Sequence, residues 1–224
     1  AKGLQLRLTR PAYHRRMKTA NAASQGHPNT NDALLAGATG LVGQSVLQQA
    51  LADERVTQVV APTRHALSAH PKLLNPVVDF AVLPEDAPWW SVDAVVCALG
   101  TTIKVAGSQA AFYRVDHDLP LQVARLALRH GARAYALNSA LGASADSRVF
   151  YSRTKGELER DLRSLGYDSL TLVRPGLIGG ERQQSRPAER LAIAVTRGLA
   201  PLLPRQYRVV PASQIAAHLL AAAV

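Results

Sequence analysis

The sequence predicts an α/β protein with a doubly wound parallel sheet, because short apolar runs alternate with longer segments of helical periodicity. The predicted strands are residues 33–36, 56–61, 76–80, 92–99, 134–137 and 170–173. The predicted helices between them are residues 40–52, 110–130 and 150–165. Strands separated by helix-length segments imply right-handed crossovers, which cover a parallel sheet with helices on both faces.

The length of 224 residues suits one substantial domain with a small additional lobe. We assign residues 32–224 to a single domain, and residues 176–224 within it to a small C-terminal substrate-side helical lobe. This lobe is expected because segments after the last parallel strand of a doubly wound sheet can cover its carboxyl edge, where ligands bind. Helices are predicted in it over residues 187–203 and 212–223.

Residues 1–31 form a basic leader that we expect to be disordered, because it lacks hydrophobic periodicity and residues 21–31 are polar. It contains six basic residues and no acid, which would suit an organelle transit peptide. The alternative, an extended or wrongly assigned start, is favoured because the only methionine is Met17 and transit peptides are usually richer in serine. The lone Cys97 is consistent with a reducing compartment, and a cytoplasmic location is predicted.

The formal net charge of +10 at pH 7 raises the question of a nucleic-acid partner. Much of this charge lies in the basic leader, so the remaining domain is only mildly basic. Mild basicity suits a phosphate-bearing cofactor and argues against nucleic acid as a partner, although nucleic-acid binding through the leader stays a third hypothesis. The seven histidines lack metal-ligand spacing, so no metal is expected. No apolar run approaches the roughly 20 residues that a membrane-spanning helix needs.

Three glycines directly follow the first predicted strand, at Gly37, Gly40 and Gly43. In this pattern the first glycine allows a tight turn, the second lets the backbone approach a diphosphate, and the third permits close packing of helix on strand. The helix that begins at the turn presents amide donors and the positive end of its dipole to phosphates. The pattern predicts a Rossmann fold that binds a dinucleotide, and a tight turn without a ligand is the alternative.

Arg64 follows the second predicted strand, at a point where the chain has no acid. An acidic residue there grips the ribose 2′-hydroxyl of NAD, whereas an arginine accommodates the 2′-phosphate of NADP. The sequence therefore predicts NADPH or NADP+ as the cofactor, with Arg64 as the phosphate contact. A solvated surface arginine is the alternative interpretation.

Tyr151 and Lys155 are four residues apart on a predicted helix, which places both side chains on one face. Because a nearby ammonium stabilises a phenolate, Lys155 would support Tyr151 as the general acid in reduction of a carbonyl. Lys155 could also hold the nicotinamide ribose. Ser139, at the end of the fifth predicted strand, is the candidate for a hydrogen bond to the substrate carbonyl. The alternatives are a surface tyrosine–lysine pair and an ordinary strand-end serine.

With these motifs the chain resembles an atypical short-chain dehydrogenase/reductase, and more narrowly the Tat-interacting-protein-like oxidoreductase branch. The resemblance extends over about residues 33–220 and omits the basic leader. The stretches that carry it are residues 37–43, 77–80, 97–102, 112–116, 151–157, 173–176 and, most specifically, the sequence ERQQSRP at 181–187.

The resemblance implies an NADPH-binding Rossmann domain with oxidoreductase activity on a small-molecule carbonyl substrate. The cofactor contacts that it implies are Gly37, Thr39, Gly40, Leu41, Val42, Gly43, Arg64, Leu99, Gly100, Thr101, Tyr151, Lys155 and Pro175. It also implies that Arg182 and Arg186 lie near the substrate edge, where two guanidinium groups would hold an anionic ligand or anchor the loop.

Two positions depart from the family pattern. The paired serines that often end the fifth strand are Ser139 and Ala140 here, so the second hydroxyl is missing, and Ser144 or Ser147 could substitute for it. Asp116 stands where extended relatives often have asparagine, and an ionised aspartate accepts hydrogen bonds but donates none.

The leading hypothesis is an NADPH-dependent carbonyl reductase that acts as a monomer or homodimer. The alternative is a non-catalytic NADPH-binding module with a regulatory or protein-interaction role. This second hypothesis follows from the missing hydroxyl at Ala140, which removes a side chain that catalysis would use.

Overall fold

The computed structural model of the chain describes residues 4–9, 31–176, 178–179 and 209–224. Within these residues there is a seven-stranded sheet, whose strands in chain order are Leu4–Thr9 (β1), Asp32–Ala36 (β2), Gln58–Val60 (β3), Leu73–Leu74 (β4), Ala94–Cys97 (β5), Ala134–Asn138 (β6) and Ser169–Pro175 (β7). The spatial order is β1-β7-β6-β5-β2-β3-β4. Strands β2 to β7 are parallel, and β1 is antiparallel to β7. The predicted parallel sheet is confirmed.

Helices connect the strands and cover the sheet. They are Leu41–Ala52 (α1), Ile103–Ala106 (α2), Gln109–Tyr113 (α3), Leu119–Arg129 (α4), Phe150–Ser164 (α5) and Ala212–Ala221 (α6), together with a 3₁₀ turn at Pro88–Trp90 and a π-helical segment at Arg114–Asp118. Two short strands, Ile178–Gly179 (β8) and Val210–Pro211 (β9), pair in parallel outside the main sheet. No helix in the described part of the chain has the length and hydropathy required to cross a membrane.

The sheet is buried on both faces, as the nearly continuous apolar strands predict for a parallel sheet. In β5, Val95 and Cys97 lie in one core with residues of α4 and α5. Val96, whose side chain points to the opposite face, lies in a second core with residues of α1 and α6. The doubly wound arrangement is therefore confirmed, and it directs the carboxyl ends of the strands toward the edge where such folds bind ligands.

Two predictions about single elements are wrong. The third strand is β4 rather than residues 76–80, and residues beyond it contribute an isolated bridge between Thr63 and Val77. Pro76 lacks the N–H that a continuous strand would use. The predicted helix over residues 110–130 is divided into α3, the π-helical segment and α4. Pro120, at the start of α4, cannot donate to the preceding turn, which interrupts the α-helical hydrogen-bond ladder.

The basic leader differs from prediction, whereas the last helix forms where it was predicted. Disorder over residues 1–31 is wrong for β1, whose six residues pair with β7. The leucines of β1 alternate with other residues in the period of a strand, a local signal that the prediction overlooked. Helix α6 packs against α1, and Ile215 and Leu219 lie in the same buried core as Val42 and Val46. Its apolar stripe explains this packing. The substrate-side lobe over residues 176–224 stays a prediction, because most of it lies outside the described residues. The predicted helix over residues 187–203 lies outside the described residues.

Candidate functional site

The turn between β2 and α1 depends on its glycines. Gly37 has a φ of 92°, in the left-handed region that favours glycine. A Cβ on Gly43 would lie 1.9 Å from the carbonyl oxygen of Gly37, so α1 can approach the turn only if residue 43 has no side chain. Gly40 differs, because a Cβ there would meet its nearest neighbour, the Gly37 oxygen, at 3.4 Å. The turn thus needs Gly37 and Gly43 for its own geometry, whereas a side chain on Gly40 would make only an ordinary van der Waals contact within the protein.

The first turn of α1 has free backbone donors. Gly40 is the N-cap residue and provides no side-chain hydrogen bond, and the first turn has no acidic residue. The N–H groups of Leu41, Val42 and Gly43 donate to no carbonyl of the described residues. Unpaired donors at a helix N-terminus, combined with the helix dipole, form a site for an anion.

A cavity of about 570 Å³ lies beside this turn, and we call it the glycine-turn cavity. Its lining includes Gly37, Ala38, Thr39, Gly40, Pro62, Thr63, Arg64, Asp79, Phe80, Ala81 and Arg114. Arg64 is exposed and forms no ion pair within the described residues. The neighbouring Thr63 is buried and accepts a 2.7 Å hydrogen bond from Asn75 Nδ2. The backbone before Arg64 is therefore held in place, while its guanidinium group stays available to a ligand.

A second cavity, of about 460 Å³, contains the predicted tyrosine and lysine, and we call it the tyrosine cavity. Its lining includes Leu41, Val42, Ile103, Asp116, Asn138, Ser139, Tyr151, Lys155 and Ile178. Gly40, Ala98, Leu99, Gly100 and Thr101 line both cavities, so the two lie side by side along one groove. Tyr151 is 39% exposed, whereas Lys155 is 3% exposed, which places the phenol at the opening and the ammonium below it.

Lys155 is held by a buried carboxylate. Its Nζ lies 2.8 Å from Asp116 Oδ1, and both side chains are almost completely buried. The other carboxylate oxygen, Oδ2, accepts a 2.8 Å hydrogen bond from the N–H of Thr101. Asp116 belongs to the π-helical segment, so this irregular turn places the carboxylate at the cavity. The pair fixes the position of the ammonium and connects α5 to the loop that the two cavities share.

Ser139 is engaged by a buried glutamate. Its Oγ donates a 2.6 Å hydrogen bond to Glu159 Oε1. Glu159 is fully buried and also accepts hydrogen bonds from Arg163 and from both Nε and Nη2 of Arg174. The hydrogen bond to Glu159 raises the pKa of Arg174 above its usual value. Both oxygens of Glu159 accept from guanidinium groups, and Oε1 also accepts the hydroxyl proton of Ser139, so Ser139 keeps only lone pairs for a substrate.

A buried histidine connects the π-helical segment to α5. His117 Nδ1 lies 2.9 Å from Asp118 Oδ1, and Nε2 lies 3.1 Å from Asp161 Oδ2. Its ring stacks on Tyr113 at 4.4 Å between centroids. Burial opposes ionisation of Asp161, but hydrogen bonds from Arg160 and His117 outweigh it and lower the pKa of that carboxyl. These contacts brace the segment that carries Asp116.

Several predicted residues lie away from the two cavities. Gly43 packs behind the turn, and the carbonyl of Pro175 accepts a hydrogen bond from Leu141; neither lines either cavity. Ser144 and Ser147, the suggested substitutes for the missing hydroxyl, lie in the loop that packs on α5 and also line neither cavity. Arg182 and Arg186 fall outside the described residues.

Several side chains of the tyrosine cavity were not predicted, among them Asn138, Ile103 and Ile178. Asn138 directly precedes Ser139, and Ile103 begins α2 at the cavity wall. The signal for Asn138 was its place at the carboxyl end of a strand, a common position for binding residues. Within the described residues there is no cluster of three or more His, Cys, Asp or Glu side chains that could hold a metal ion.

Comparison with protein-family profiles finds no match, but curated proteins of similar sequence exist. "Protein fmp52, mitochondrial" of Emericella nidulans is 36% identical over 166 residues, which cover 70% of this chain and 71% of that protein. The protein of the same name from Aspergillus fumigatus is 38% identical over 176 residues, covering 74% of each chain. Protein HTATIP2 of Rattus norvegicus is 37% identical over 161 residues, covering 70% of this chain and 66% of that protein.

Solved structures share the fold at low sequence identity. The enzyme WbmH of Bordetella bronchiseptica, solved in complex with NAD+, has a TM-score of 0.62 at 16% identity and covers 86% of this chain and 71% of its own. A short chain dehydrogenase family protein from Francisella tularensis has a TM-score of 0.56 at 11% identity, with 87% and 91% covered. At these identities the likeness shows the fold alone.

The relatives overturn one prediction. A cytoplasmic location was expected from the lone cysteine, but the fungal relatives from Emericella nidulans, Aspergillus niger and Eremothecium gossypii are all named as mitochondrial proteins. A single cysteine indicates a reducing environment at most, and it does not distinguish one such compartment from another.

Proposed function

The chain belongs to the NAD(P)-binding oxidoreductase family of Fmp52 and HTATIP2, and from this premise we propose that it is an NADPH-dependent carbonyl reductase. The observation that carries the proposal is the presence of Tyr151 and Lys155 in a cavity continuous with the glycine-turn cavity. This arrangement provides a proton donor beside the place where the two cavities meet.

The residues present fit a dinucleotide. The absence of a side chain at Gly40 and the unpaired N–H groups of Leu41 and Val42 suit a diphosphate. Arg64, exposed and without an ion pair in the described part of the chain, suits a 2′-phosphate. Lys155 suits a ribose hydroxyl at the far end of the groove. When bound, NADPH supplies the hydride that reduces the substrate carbon.

Tyr151 acts as the general acid. Its phenol lies at the opening of the tyrosine cavity, and it donates its proton to the carbonyl oxygen as the hydride reaches the carbon, which gives the alcohol. The tyrosinate that remains regains a proton from water, because the side chain is 39% exposed. Lys155, fixed by Asp116, stabilises the negative charge on the phenolate oxygen until then.

The rim of the tyrosine cavity indicates the kind of carbonyl compound to test. Ile103 and Ile178 are 40% and 38% exposed beside Tyr151. Among the described residues that line this cavity, the charged side chains are Lys155 and Asp116, which form an ion pair with each other. Aliphatic and aromatic aldehydes and ketones therefore belong in the substrate panel beside anionic ones.

A non-catalytic NADPH-binding module is the second candidate function. It is favoured by the hydrogen bond that commits the proton of Ser139 to Glu159 and by the absence of a hydroxyl at Ala140. This candidate predicts tight NADPH binding without turnover of any carbonyl compound.

Oxidation of NADPH over a panel of carbonyl compounds tests the proposal, with Tyr151→Phe as the matched variant. Phenylalanine keeps the ring contact with Phe112, which lies 5.7 Å away between centroids. We expect turnover by the native protein and a loss of about 100-fold in kcat for the variant, with unchanged NADPH affinity. Equal activity of the two proteins would show that Tyr151 is not the general acid. Tight NADPH binding without turnover by the native protein favours the non-catalytic module.

We further propose a mitochondrial location, which the names of the fungal relatives support. A fluorescent protein fused to the carboxyl terminus of the full chain should coincide with a mitochondrial marker. Uniform fluorescence in the cytosol contradicts the proposal.

A further inference from the structure

The backbone stays extended beyond β6 and determines which side chains share a face. The N–H of Ser139 donates to the carbonyl of Val173, and the N–H of Leu141 donates to that of Pro175, both at 2.8 Å. Pairing with β7 therefore continues past the end of the strand. Side chains alternate along extended backbone, so Asn138 and Ala140 point to one face and Ser139 to the other.

The two faces have different partners. On one face, Ser139 donates its proton to Glu159, as described above, and has no proton left for a substrate oxygen. On the other face, Ala140 has no hydroxyl to offer. Neither residue can therefore donate a second hydrogen bond to a carbonyl that Tyr151 protonates.

Asn138 has a free carboxamide at this point. Its side chain lines the tyrosine cavity, and its Oδ1 is buried without a hydrogen-bond partner. Its Nδ2 donates no hydrogen bond to any described residue either. Rotation of the amide by a half turn would exchange the two atoms without breaking a hydrogen bond. A buried polar group without a partner is uncommon and calls for a ligand that completes it.

We infer that the Asn138 carboxamide donates the second hydrogen bond to the substrate carbonyl, an inference that rests on the proposed reductase function. Nδ2 would supply the donor that neither Ser139 nor Ala140 offers, and Asn138, unlike Ala140, lines the tyrosine cavity. A neutral donor aimed at the carbonyl oxygen stabilises the negative charge that develops there as hydride arrives. Tyr151 would donate the other hydrogen bond and then the proton.

Three variants of the full chain test this role. Asn138→Ala removes the amide, and Asn138→Asp keeps its shape but replaces the donor with a carboxylate. We expect each to lower kcat/KM for a carbonyl substrate by about tenfold, the effect of one neutral hydrogen bond. The double variant Asn138→Ala, Ala140→Ser adds a hydroxyl at a residue that lines neither cavity, so it should not recover this loss. Circular dichroism and thermal unfolding verify that each variant is folded.

Benzamide provides a readout that does not depend on turnover. Its amide carbonyl resembles an aromatic aldehyde but is not reduced, so its Kd for the NADPH complex reports the hydrogen bonds alone. We expect Asn138→Ala to weaken benzamide binding by about tenfold while the Kd of NADPH stays within about twofold. If the native protein reduces no carbonyl compound but Asn138→Ala still weakens benzamide binding, the proposed function is contradicted while the hydrogen bond from Asn138 to a carbonyl oxygen is supported.

Three results contradict the inference about Asn138. The first is an Asn138→Ala variant whose benzamide affinity and kcat/KM equal those of the native protein. The second is a loss of NADPH affinity that accounts for the whole effect, since Asn138 would then contact the cofactor. The third is the absence of benzamide binding to the native NADPH complex.

Discussion

The glycine turn is determined by its backbone geometry, whereas the tyrosine cavity is formed by side chains that hold one another in place. In the turn, the positive φ of Gly37 and the unpaired amides at the start of α1 need no side-chain partner. In the tyrosine cavity, Lys155 depends on Asp116, and Ser139 depends on Glu159. The glycine-turn cavity and the tyrosine cavity both lie at the carboxyl edge of one sheet and share the loop at residues 98–101.

Because of this difference, the two regions should be sensitive to different kinds of mutation. A site formed by backbone loses its geometry when a side chain is added, because the new Cβ displaces the main chain. A site formed by paired side chains is destabilised when one of them is removed, because the remaining charged or polar group is left buried without its partner. Binding and chemistry should therefore be separable by mutation.

Gly43→Ala should have the largest effect. Its Cβ would lie 1.9 Å from the Gly37 oxygen, so α1 and the turn must move apart, and we expect loss of both cooperative unfolding and NADPH binding. Gly40→Ala is the matched control, because the nearest atom to its Cβ is 3.4 Å away. It should fold normally and lose NADPH affinity alone. Calorimetry and cofactor titration measure both outcomes, and native affinity in Gly40→Ala would contradict the account of the turn.

Asp116→Ala should have the next largest effect. It leaves the buried ammonium of Lys155 without a partner, and we expect a loss of about 3–5 kcal/mol in the free energy of unfolding. Asp116→Asn retains an oxygen that can accept from the N–H of Thr101 and should lose less. Urea unfolding compares the three proteins. Equal stability of Asp116→Ala and the native protein would show that the pair does not hold α5 to the shared loop.

Asp161→Asn should have the smallest effect, and the effect should depend on pH. Because the pKa of Asp161 is lowered in the folded protein, its contribution is present above the unfolded value of about 3.9 and disappears as pH falls through the folded value. We expect the variant to be less stable by roughly 0.5 kcal/mol at neutral pH, with the difference narrowing in acid. Urea unfolding at several pH values measures it, and a difference that is constant with pH would contradict the assignment.

The glycine-turn cavity was largely predictable from sequence because its determinants are local. Gly37, Gly40 and Gly43 follow a strand in a fixed spacing, and the helix N-terminus comes with them. Likewise, the spacing of Tyr151 and Lys155 places both on one face of α5. Each of these patterns lies within a few residues, so it could be recognised without knowledge of the fold.

The rest of the site depends on contacts between distant segments, which sequence patterns do not reveal. The hydrogen bond from Ser139 to Glu159 joins residues of different elements. The position of Asp116 depends on a π-helical turn. The edge strand β4 has only two residues, too few for a period to be recognised. The apolar stripe of helix α6 predicts that one face is buried, but it does not tell that the element buried against it is α1.

We propose that the glycine-turn cavity binds the adenosine end of NADPH through Arg64, apart from the chemistry at Tyr151. Isothermal titration of the native protein and of Arg64→Ala with NADPH and NADH tests it most directly. We predict that the native protein binds NADPH at least about tenfold more tightly than NADH, and that Arg64→Ala removes this preference while its affinity for NADH is unchanged. A native preference for NADH, or an NADPH preference that survives in Arg64→Ala, would contradict the claim.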